Sequence, residues 1–318
     1  MSDEMLAEHV FDSRAKRREG RRAFFQAAMG AAAVGAGFAY ASAAQAQSVT
    51  DADVLNFALN LEYLEANFYY YAVYGTAIPT SSTAGTGTAG AATGGRAVSF
   101  SDPLTAQYAR EIAQDELAHV NFLRRTLGAS AVAQPQIDVG TSAMGAFSSA
   151  ARAAGLITGN TSTFDPYAND LNFLLGAFIF EDVGVTAYKG ASPLITNKTY
   201  LDAAAGILAA EAYHASIVRT TLDQLGASTA SIFASTESIS NARDSLDGST
   251  DDDQGIAHTT TGTGDTSNIT PTDTNGLAYS RSTGQVLNIV YLNKAAVTMG
   301  GFFPAGVNGN IKTSAASS

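Results

Sequence analysis

The sequence contains no cysteine, so disulfide bonds and thiolate metal ligands are excluded. Any metal site in this chain must therefore use carboxylate and imidazole side chains. Basic residues are also scarce, because the 318 residues include 18 Lys and Arg against 29 Asp and Glu, which gives a net charge of −11. Such an acidic chain does not favour nucleic acid or an anionic membrane surface as a partner.

Residues 1–46 have the order of an export signal. The basic run "RAKRR" is followed by the pair Arg21-Arg22 and by an Ala-rich, weakly apolar stretch that ends in Ala44-Gln45-Ala46. Paired arginines before such a stretch predict recognition by the twin-arginine export machinery and cleavage near Gln47. The mature protein would then lie in the periplasm, in the cell envelope or outside the cell, with no membrane span. The alternative is a membrane anchor, but the apolar stretch is short and rich in Ala and Gly.

The middle of the chain shows helical periodicity. Apolar residues recur at helical spacing and predict four long helices, at 51–75, 103–127, 166–189 and 198–225. The aperiodic segment 76–101 predicts a loop. Residues 128–165 predict a mixed connection with a short helix around "AMGAFSSAARAAG".

The C-terminal part has a different composition. Residues 228–282 are dominated by Ser, Thr, Asp and Gly and predict a surface-exposed loop, in which His258 faces solvent. The stretch "AYSRSTGQVLNIVYLNKAAV" regains an apolar helical pattern and predicts a fifth helix packed on the bundle. The predicted fold is therefore all-α, with a four-helix bundle over 47–226 in up-down-up-down order. A polar loop and a C-terminal helix follow over 227–318.

The four long helices form two pairs that resemble each other. In the first and third helices a glutamate is followed seven residues later by a tyrosine, as Glu62–Tyr69 and Glu181–Tyr188. In the second and fourth helices a Glu-x-x-His motif is followed five residues later by an arginine, Arg124 and Arg219. Such a repeat gives pseudo-twofold symmetry, and a symmetric site could lie on its axis. The two arginines are predicted to form salt bridges at helix ends.

The two Glu-x-x-His motifs, "ELAH" at 116–119 and "EAYH" at 211–214, point to metal chemistry. Residues three apart share a helix face, with about 5–6 Å between their Cβ atoms, so each motif aims a carboxylate and an imidazole at one point. Glu62 and Glu181 lie in apolar stretches, where a buried carboxylate needs a cation or a proton. Four carboxylates and two imidazoles that converge match a site for two iron or manganese ions. The alternative is a metal-free network in which the carboxylates share protons.

These residues, in this order, resemble the ferritin-like superfamily of di-metal carboxylate bundles, and in particular the bacterial ferritin-like domain proteins of the desiccation-related type. The resemblance covers residues 51–226 and a tail at 279–311. It implies that the metals are bound by one glutamate from each of the first and third helices and by Glu-x-x-His from each of the second and fourth. In this sequence those residues are Glu62, Glu116, His119, Glu181, Glu211 and His214.

Two further acidic residues are candidates to support the ligands. Glu65 shares a helix face with Glu62, and it either binds a metal in a second mode or hydrogen-bonds to a ligand. Asp115 resembles the aspartate that orients the opposite histidine through its free ring N–H. Ala210 stands at the equivalent place in the fourth helix, so that support is missing on one side.

Tyr69 and Tyr188 are the other two supporting candidates. They either hydrogen-bond to ligand carboxylates, take part in redox chemistry, or pack as aromatic residues with a satisfied hydroxyl.

Three functions are compatible with these features. The first is an exported di-metal redox enzyme that acts on oxygen, peroxide or a small organic substrate. The second is a non-enzymatic stress or envelope protein in which the metal stabilises the bundle. The third is iron oxidation and storage, which the large loops and the C-terminal extension disfavour, because a compact shell subunit does not need them. The oligomeric state is left open, with a homo-oligomer as one option.

Overall fold

The computed structural model describes residues 49–261 and 264–317, so the predicted export signal at 1–46 lies outside the described residues. Within the described residues the helices are α1 (Asp51–Tyr74), α2 (Pro103–Leu127), α3 (Ala146–Ala153), α4 (Asp170–Ala191), α5 (Lys198–Gly226), α6 (Ser231–Asp247) and α7 (Thr283–Val290). Four short strands pair in twos, β1 (Ala92–Thr93) with β2 (Ile137–Asp138) and β3 (Thr259–Thr261) with β4 (Gly264–Thr266). The prediction of an all-α fold is confirmed.

The two N-terminal helices begin and end where their caps require. The Thr50 hydroxyl accepts a hydrogen bond from the Asp53 backbone, and the Asp53 carboxylate accepts one from the Thr50 backbone, which closes a capping box at the start of α1. Gly75 ends α1 with a φ of 71°, a left-handed conformation that favours glycine. Asp102 caps α2 by accepting from the backbone N–H of Thr105. The predicted bounds of these two helices agree with the structure to within one residue.

The bundle consists of α1, α2, α4 and α5, in two closely packed pairs, α1 with α2 and α4 with α5. Tyr69 of α1 contacts Glu181 of α4, while Tyr188, about two turns further along α4, contacts Glu62, about two turns before Tyr69 on α1. These crossed contacts require α1 and α4 to run antiparallel, so the predicted up-down-up-down order is wrong. The backbone N–H groups of Ser101 and Asp102, just before α2, donate to the Asp170 carboxylate at the start of α4, so the connection 128–169 returns the chain to the end where α2 begins and α4 runs parallel to α2.

Helix α4 is the most apolar helix of the bundle. The segment Asp170–Leu194 is long and apolar enough to cross a membrane, but 83% of its most hydrophobic window is buried inside the protein. A core helix of a bundle has this property. It is capped by Asn169, so it begins four residues after the predicted start at 166.

The C-terminal extension (residues 227–317) differs most from its prediction. Residues 231–247, expected in a surface-exposed loop, form helix α6 on the outer side of α5. Its buried side chains recur at helical spacing, and besides Ile232 and Ile239 they are polar, namely Thr236, Ser240, Arg243 and Asp247. Because this composition is typical of a loop, it did not indicate the helix, whose buried face is mostly polar.

Buried ion pairs hold the extension on the bundle. Three arginines with almost no exposed surface are surrounded by aspartates from α4, α6 and the following loop. The pairs are Arg219–Asp182 at 2.8 Å, Arg243–Asp253 at 2.8 Å, Arg281–Asp253 at 2.7 Å and Arg281–Asp247 at 2.5 Å. Each guanidinium is thereby paired within the interior, as buried charges require.

The prediction of helix-end salt bridges is confirmed only in part for each arginine, because Arg219 forms a salt bridge with Asp182 away from the helix end, whereas Arg124 lies in the last turn of α2 without a carboxylate partner. Arg219 lies two turns before the end of α5 and is fully buried, where it also donates to the carbonyls of Gln254 and Gly255. Arg124 donates to the Tyr63 hydroxyl at 2.6 Å and to a loop carbonyl rather than to a carboxylate. Both arginines join the bundle to the segments that cover it.

The fifth predicted helix is shorter than the apolar periodicity of the sequence indicates. Only Thr283–Val290 is helical within the expected stretch 278–297, and the chain turns at Leu292, which has a φ of 52°. The Asn288 side chain donates to the carbonyls of Asn293 and Ala315, at 2.6 and 2.8 Å. These side-chain hydrogen bonds favour a turn over continuation of the helix.

Candidate metal centre

The structure brings the six predicted ligands together at the middle of the bundle. The potential ligand atoms form two clusters, and Glu116 belongs to both. Within each cluster, all of these atoms lie within 4.8 Å of one another. The first consists of Glu62, Glu116, His119 and Glu211, and the second of Glu116, Glu181 and His214. Four helices thus contribute to one continuous group of carboxylates and imidazoles.

The first half of the centre surrounds His119. Its Nδ1 atom lies 3.3 Å from Oε2 of Glu62, 3.7 Å from Oε2 of Glu116 and 3.7 Å from Oε1 of Glu211. The His119 side chain is 12% exposed, so this half is the one nearer to solvent.

The second half of the centre surrounds His214. Its Nδ1 atom lies 3.0 Å from Oε1 of Glu116 and 3.8 Å from Oε2 of Glu181. The two imidazole rings are 6.1 Å apart between centroids. A carboxylate at Glu116 therefore reaches both imidazoles, as a bridging ligand would.

The inward-facing atoms have no hydrogen-bond partners among the described residues. They are buried, and they are Oε2 of Glu62, both carboxylate oxygens of Glu116 and Glu211, Oε2 of Glu181 and Nδ1 of His119 and His214. Burying oxygen and nitrogen atoms without partners costs free energy unless a cation or protons bind to them. Oxygen and imidazole donors suit divalent iron or manganese, so the residues fit such ions.

The electrostatics of the cluster lead to the same conclusion. Burial raises the pKa of Glu62 to about 7 and that of Glu181 to about 8, despite the nearby imidazoles. Burial and the neighbouring carboxylates raise the pKa of Glu211 well above its usual value. Burial opposes ionisation of Glu116 as well, but contacts with both histidines outweigh it and lower its pKa. Without a cation the cluster must therefore keep protons that two divalent ions would displace.

The two tyrosines contact ligand carboxylates across the pseudo-twofold axis. The Tyr69 hydroxyl donates to Oε1 of Glu181, and the Tyr188 hydroxyl donates to Oε1 of Glu62. Each tyrosine is buried, and each bond fixes one oxygen of a carboxylate while leaving the other oxygen, Oε2, facing the cluster. Of the alternatives for these tyrosines, the structure shows the hydrogen bond to a candidate ligand carboxylate.

The acidic supporting candidates break that symmetry. Asp115 lies 3.2 Å from Nε2 of His214, the ring nitrogen that faces away from the cluster, whereas the equivalent residue in α5 is Ala210. Glu65 is 6% exposed, and burial raises its pKa well above the usual value. The residue that corresponds to Glu65 in α4 is Gly184, and a Cβ there would collide with the Glu211 carboxylate. A side chain at position 184 would therefore displace the Glu211 carboxylate from its present place in the cluster.

Two residues next to the ligands were missed in the sequence. Asp182 follows Glu181 and accepts from Arg219 at 2.8 Å, which ties α4 to α5 just outside the cluster. At the equivalent place in α1, Tyr63 accepts from Arg124. The signal was present in the repeat, because each arginine stands five residues after a histidine and each acceptor directly follows a glutamate.

Comparison with known proteins agrees with this geometry. A family model described as a ferritin-like domain matches residues 50–224. The chain is 26% identical over 277 residues to "Ferritin-like catalase Nec2" of Nesocodon mauritianus, which covers 82% of this chain and 84% of that protein. It is 30% identical over 177 residues to "Desiccation-related protein PCC13-62" of Craterostigma plantagineum, which covers 54% of this chain and 53% of that protein. No solved structure matches significantly.

The family match spans the four bundle helices and every residue of the two ligand clusters. The helical fold, the paired Glu-x-x-His motifs and the match over more than half of the sequence lead to one conclusion: this chain belongs to the ferritin-like domain family.

Proposed function

We propose that this protein is an exported di-metal redox enzyme that consumes hydrogen peroxide, with iron or manganese as its metal. The observation that carries the proposal is the set of buried inward-facing carboxylate and imidazole atoms without hydrogen-bond partners. The peroxide substrate is supported by the relative named as a ferritin-like catalase, because the similarity extends over most of both chains. In the reaction, two molecules of hydrogen peroxide give two of water and one of dioxygen.

The symmetry of the cluster suggests which residues hold each ion. Glu62, His119 and Glu211 would hold one metal, Glu181 and His214 would hold the other, and Glu116, which belongs to both clusters, would contribute to both. When bound, the metals supply the electron transfer and Lewis acidity that cleavage of an O–O bond needs. Two ions also remove the repulsion among carboxylates that burial otherwise makes costly.

The protein residues position this chemistry and exclude water from it. Tyr69 and Tyr188 hold Glu181 and Glu62 by one oxygen each, so each carboxylate can change its contact through the free oxygen. Asp115 holds the His214 ring through Nε2. His119 is the most exposed member of the cluster, so we expect a small substrate to enter past it.

The proposed location outside the cytoplasm rests on the sequence of the leader. Arg21 and Arg22 precede an Ala-rich run and a small-x-small cleavage site, the order that twin-arginine signals have. Replacing both arginines by lysine should keep the protein in the cytoplasm, as fractionation and immunoblotting would show.

A non-catalytic role in stress protection is the second candidate. It is favoured by the relative named as a desiccation-related protein, which is 30% identical over 177 residues, against 26% for the catalase. In that case the metals would stabilise the fold without turnover.

Metal analysis and a peroxide assay on the same samples separate these candidates. We expect about two iron or manganese ions per chain, as in other di-metal bundles, and peroxide-dependent release of dioxygen. Glu116→Gln should reduce both metal content and turnover. The matched control is Glu111→Gln, because Glu111 lies exposed on the same helix. Full metal content without peroxide consumption would favour the non-catalytic role, and absence of transition metal would exclude both.

A further inference from the structure

A small cavity lies between α1, α4 and the C-terminal extension. Its volume is about 20 Å³. Ile289 and Val290 of α7, together with Phe302, line it from the side of the extension, and aliphatic and aromatic residues of α1 and α4 form the other walls. Glu65 and Tyr188 are its only lining residues with polar side chains.

Residues of the cavity wall adjoin the candidate metal centre. Gly184 lines the cavity, and a Cβ at that position would collide with the Glu211 carboxylate and lie 3.5 Å from Oε1 of Glu65. Tyr188 also lines it, and its hydroxyl donates to Glu62. Two proposed metal ligands, Glu62 and Glu211, are therefore in contact with residues of the cavity wall.

The size and polarity of the cavity determine what it can hold. A water molecule needs roughly 10–15 Å³ and two to four polar partners. The cavity is large enough, but the Tyr188 hydroxyl is already bonded to Glu62, which leaves the Glu65 carboxylate as the one free polar group in the wall. One free polar group does not supply the two to four partners that a water molecule needs, whereas cavities with mostly apolar walls bind apolar molecules such as xenon. A small apolar gas therefore suits the cavity better than water or peroxide.

We propose that this cavity holds dioxygen beside the metal centre. The assignment rests on the proposed function, in which dioxygen is either the product of peroxide consumption or a reactant with reduced metal. The C-terminal extension completes the cavity, so it has a functional role beyond covering the bundle. The cavity volume of about 20 Å³ excludes larger organic substrates from this side.

Xenon pressure on crystals of the protein tests the cavity without any need for turnover. We expect anomalous density for xenon between Val183, Val290 and Glu65. Val290→Ile adds one methylene and should abolish the peak, whereas Val290→Ala should strengthen it. The matched control is Val286→Ala, since Val286 is buried on the same helix but does not line the cavity. A wild-type cavity that holds ordered water or no xenon, or an unchanged peak in Val290→Ile, would overturn the proposal.

Kinetics of the metal-loaded protein then distinguish the two sources of dioxygen. If dioxygen is a reactant, reoxidation of reduced metal should saturate with dioxygen concentration in the wild type and lose saturation in Val290→Ile. If dioxygen is the product, raised dioxygen pressure should slow peroxide consumption in the wild type but not in Val290→Ile. If peroxide is consumed and Val290→Ile changes neither dependence, the cavity proposal fails while the proposed function stands. Loss of metal or turnover in the wild type would instead count against the proposed function.

Discussion

Asp115 of α2 lies 3.2 Å from Nε2 of His214 on α5, so a carboxylate from one helix pair orients an imidazole of the other. The equivalent residue on α5 is Ala210, which offers His119 no such support. The tyrosines keep the pseudo-twofold symmetry, whereas the histidines break it. The two metal positions should therefore differ in affinity.

Asp115→Ala should weaken the metal held by His214 selectively. Loss of an outer partner of a ligating imidazole costs about 10–100-fold in metal affinity. Isothermal titration calorimetry of metal-free protein with Mn²⁺ should show that the affinity of one of the two binding steps falls. Ala210→Asp should strengthen the other step, and Gln114→Ala, an exposed neighbour of Asp115, serves as the control. Equal weakening of both steps would contradict the asymmetry.

Removal of metal should lower the melting temperature strongly. The buried carboxylates repel one another without cations, and ligand binding to the native state alone stabilises it by mass action. Differential scanning calorimetry before and after chelation should show the loss, and added manganese or iron should restore it. Glu181→Ala and His214→Ala should each reduce metal occupancy and make melting less sensitive to chelation. Identical melting of chelated and loaded protein would exclude a bound metal.

Tyr69→Phe and Tyr188→Phe should destabilise the protein by similar amounts. Each change leaves a buried carboxylate oxygen, on Glu181 or Glu62, without its donor, at a cost of about 1–3 kcal/mol. The crossed geometry predicts near-equal effects on denaturant midpoints. Tyr74→Phe, on the exposed end of α1, is the control. A neutral result at both buried sites would show that the tyrosines act by packing alone.

The bundle and the convergence of its candidate ligands could be predicted because their signals are local. Helix periodicity and caps place α1 and α2, and two Glu-x-x-His motifs in similar helix pairs point to one centre. The direction of α4 could not be predicted in the same way, because it depends on where the 128–169 connection crosses the bundle. The crossed Tyr69–Glu181 and Tyr188–Glu62 contacts become visible only in the folded chain.

Helix α6 was missed for another physical reason. Its buried face uses Ser240, Arg243 and Asp247, so neither hydropathy nor composition distinguishes it from a polar loop. The charges are stable in the interior only because Asp253 and Arg281, far along the sequence, complete the ion pairs. A single sequence does not show such long-range pairing.

Arg281→Met should release the C-terminal extension from the bundle. Arg281 is fully buried between Asp247 and Asp253, so its removal leaves two carboxylates short of a cation. Breaking a buried pair in this way costs about 3–5 kcal/mol. Limited proteolysis should cut the segment 248–282 faster in the variant, and Lys312→Met, at an exposed position, should not change the pattern. Unchanged cleavage would show that apolar packing of α7 alone secures the extension.

Asp244→Asn should stabilise the protein at alkaline pH but not at acidic pH. Burial and the nearby Asp253 raise the pKa of Asp244 from 3.8 to about 7, although Arg281 opposes the shift. Folded Asp244 therefore binds a proton more tightly than unfolded Asp244. Its stabilising contribution is complete below pH 3.8 and is lost as the pH rises through about 7.

Asparagine does not titrate, so the variant avoids that loss. Solvent screens part of this interaction, because the Asp244 side chain is 21% exposed. We therefore expect the free energy of unfolding to rise by about 1–2 kcal/mol at pH 8. Urea denaturation of wild type and variant at matched pH values between 4 and 8 measures the difference, in which groups common to both proteins cancel. Asp251→Asn, at an exposed position, is the control. A gain that is constant with pH would show that Asp244 acts through packing rather than ionisation.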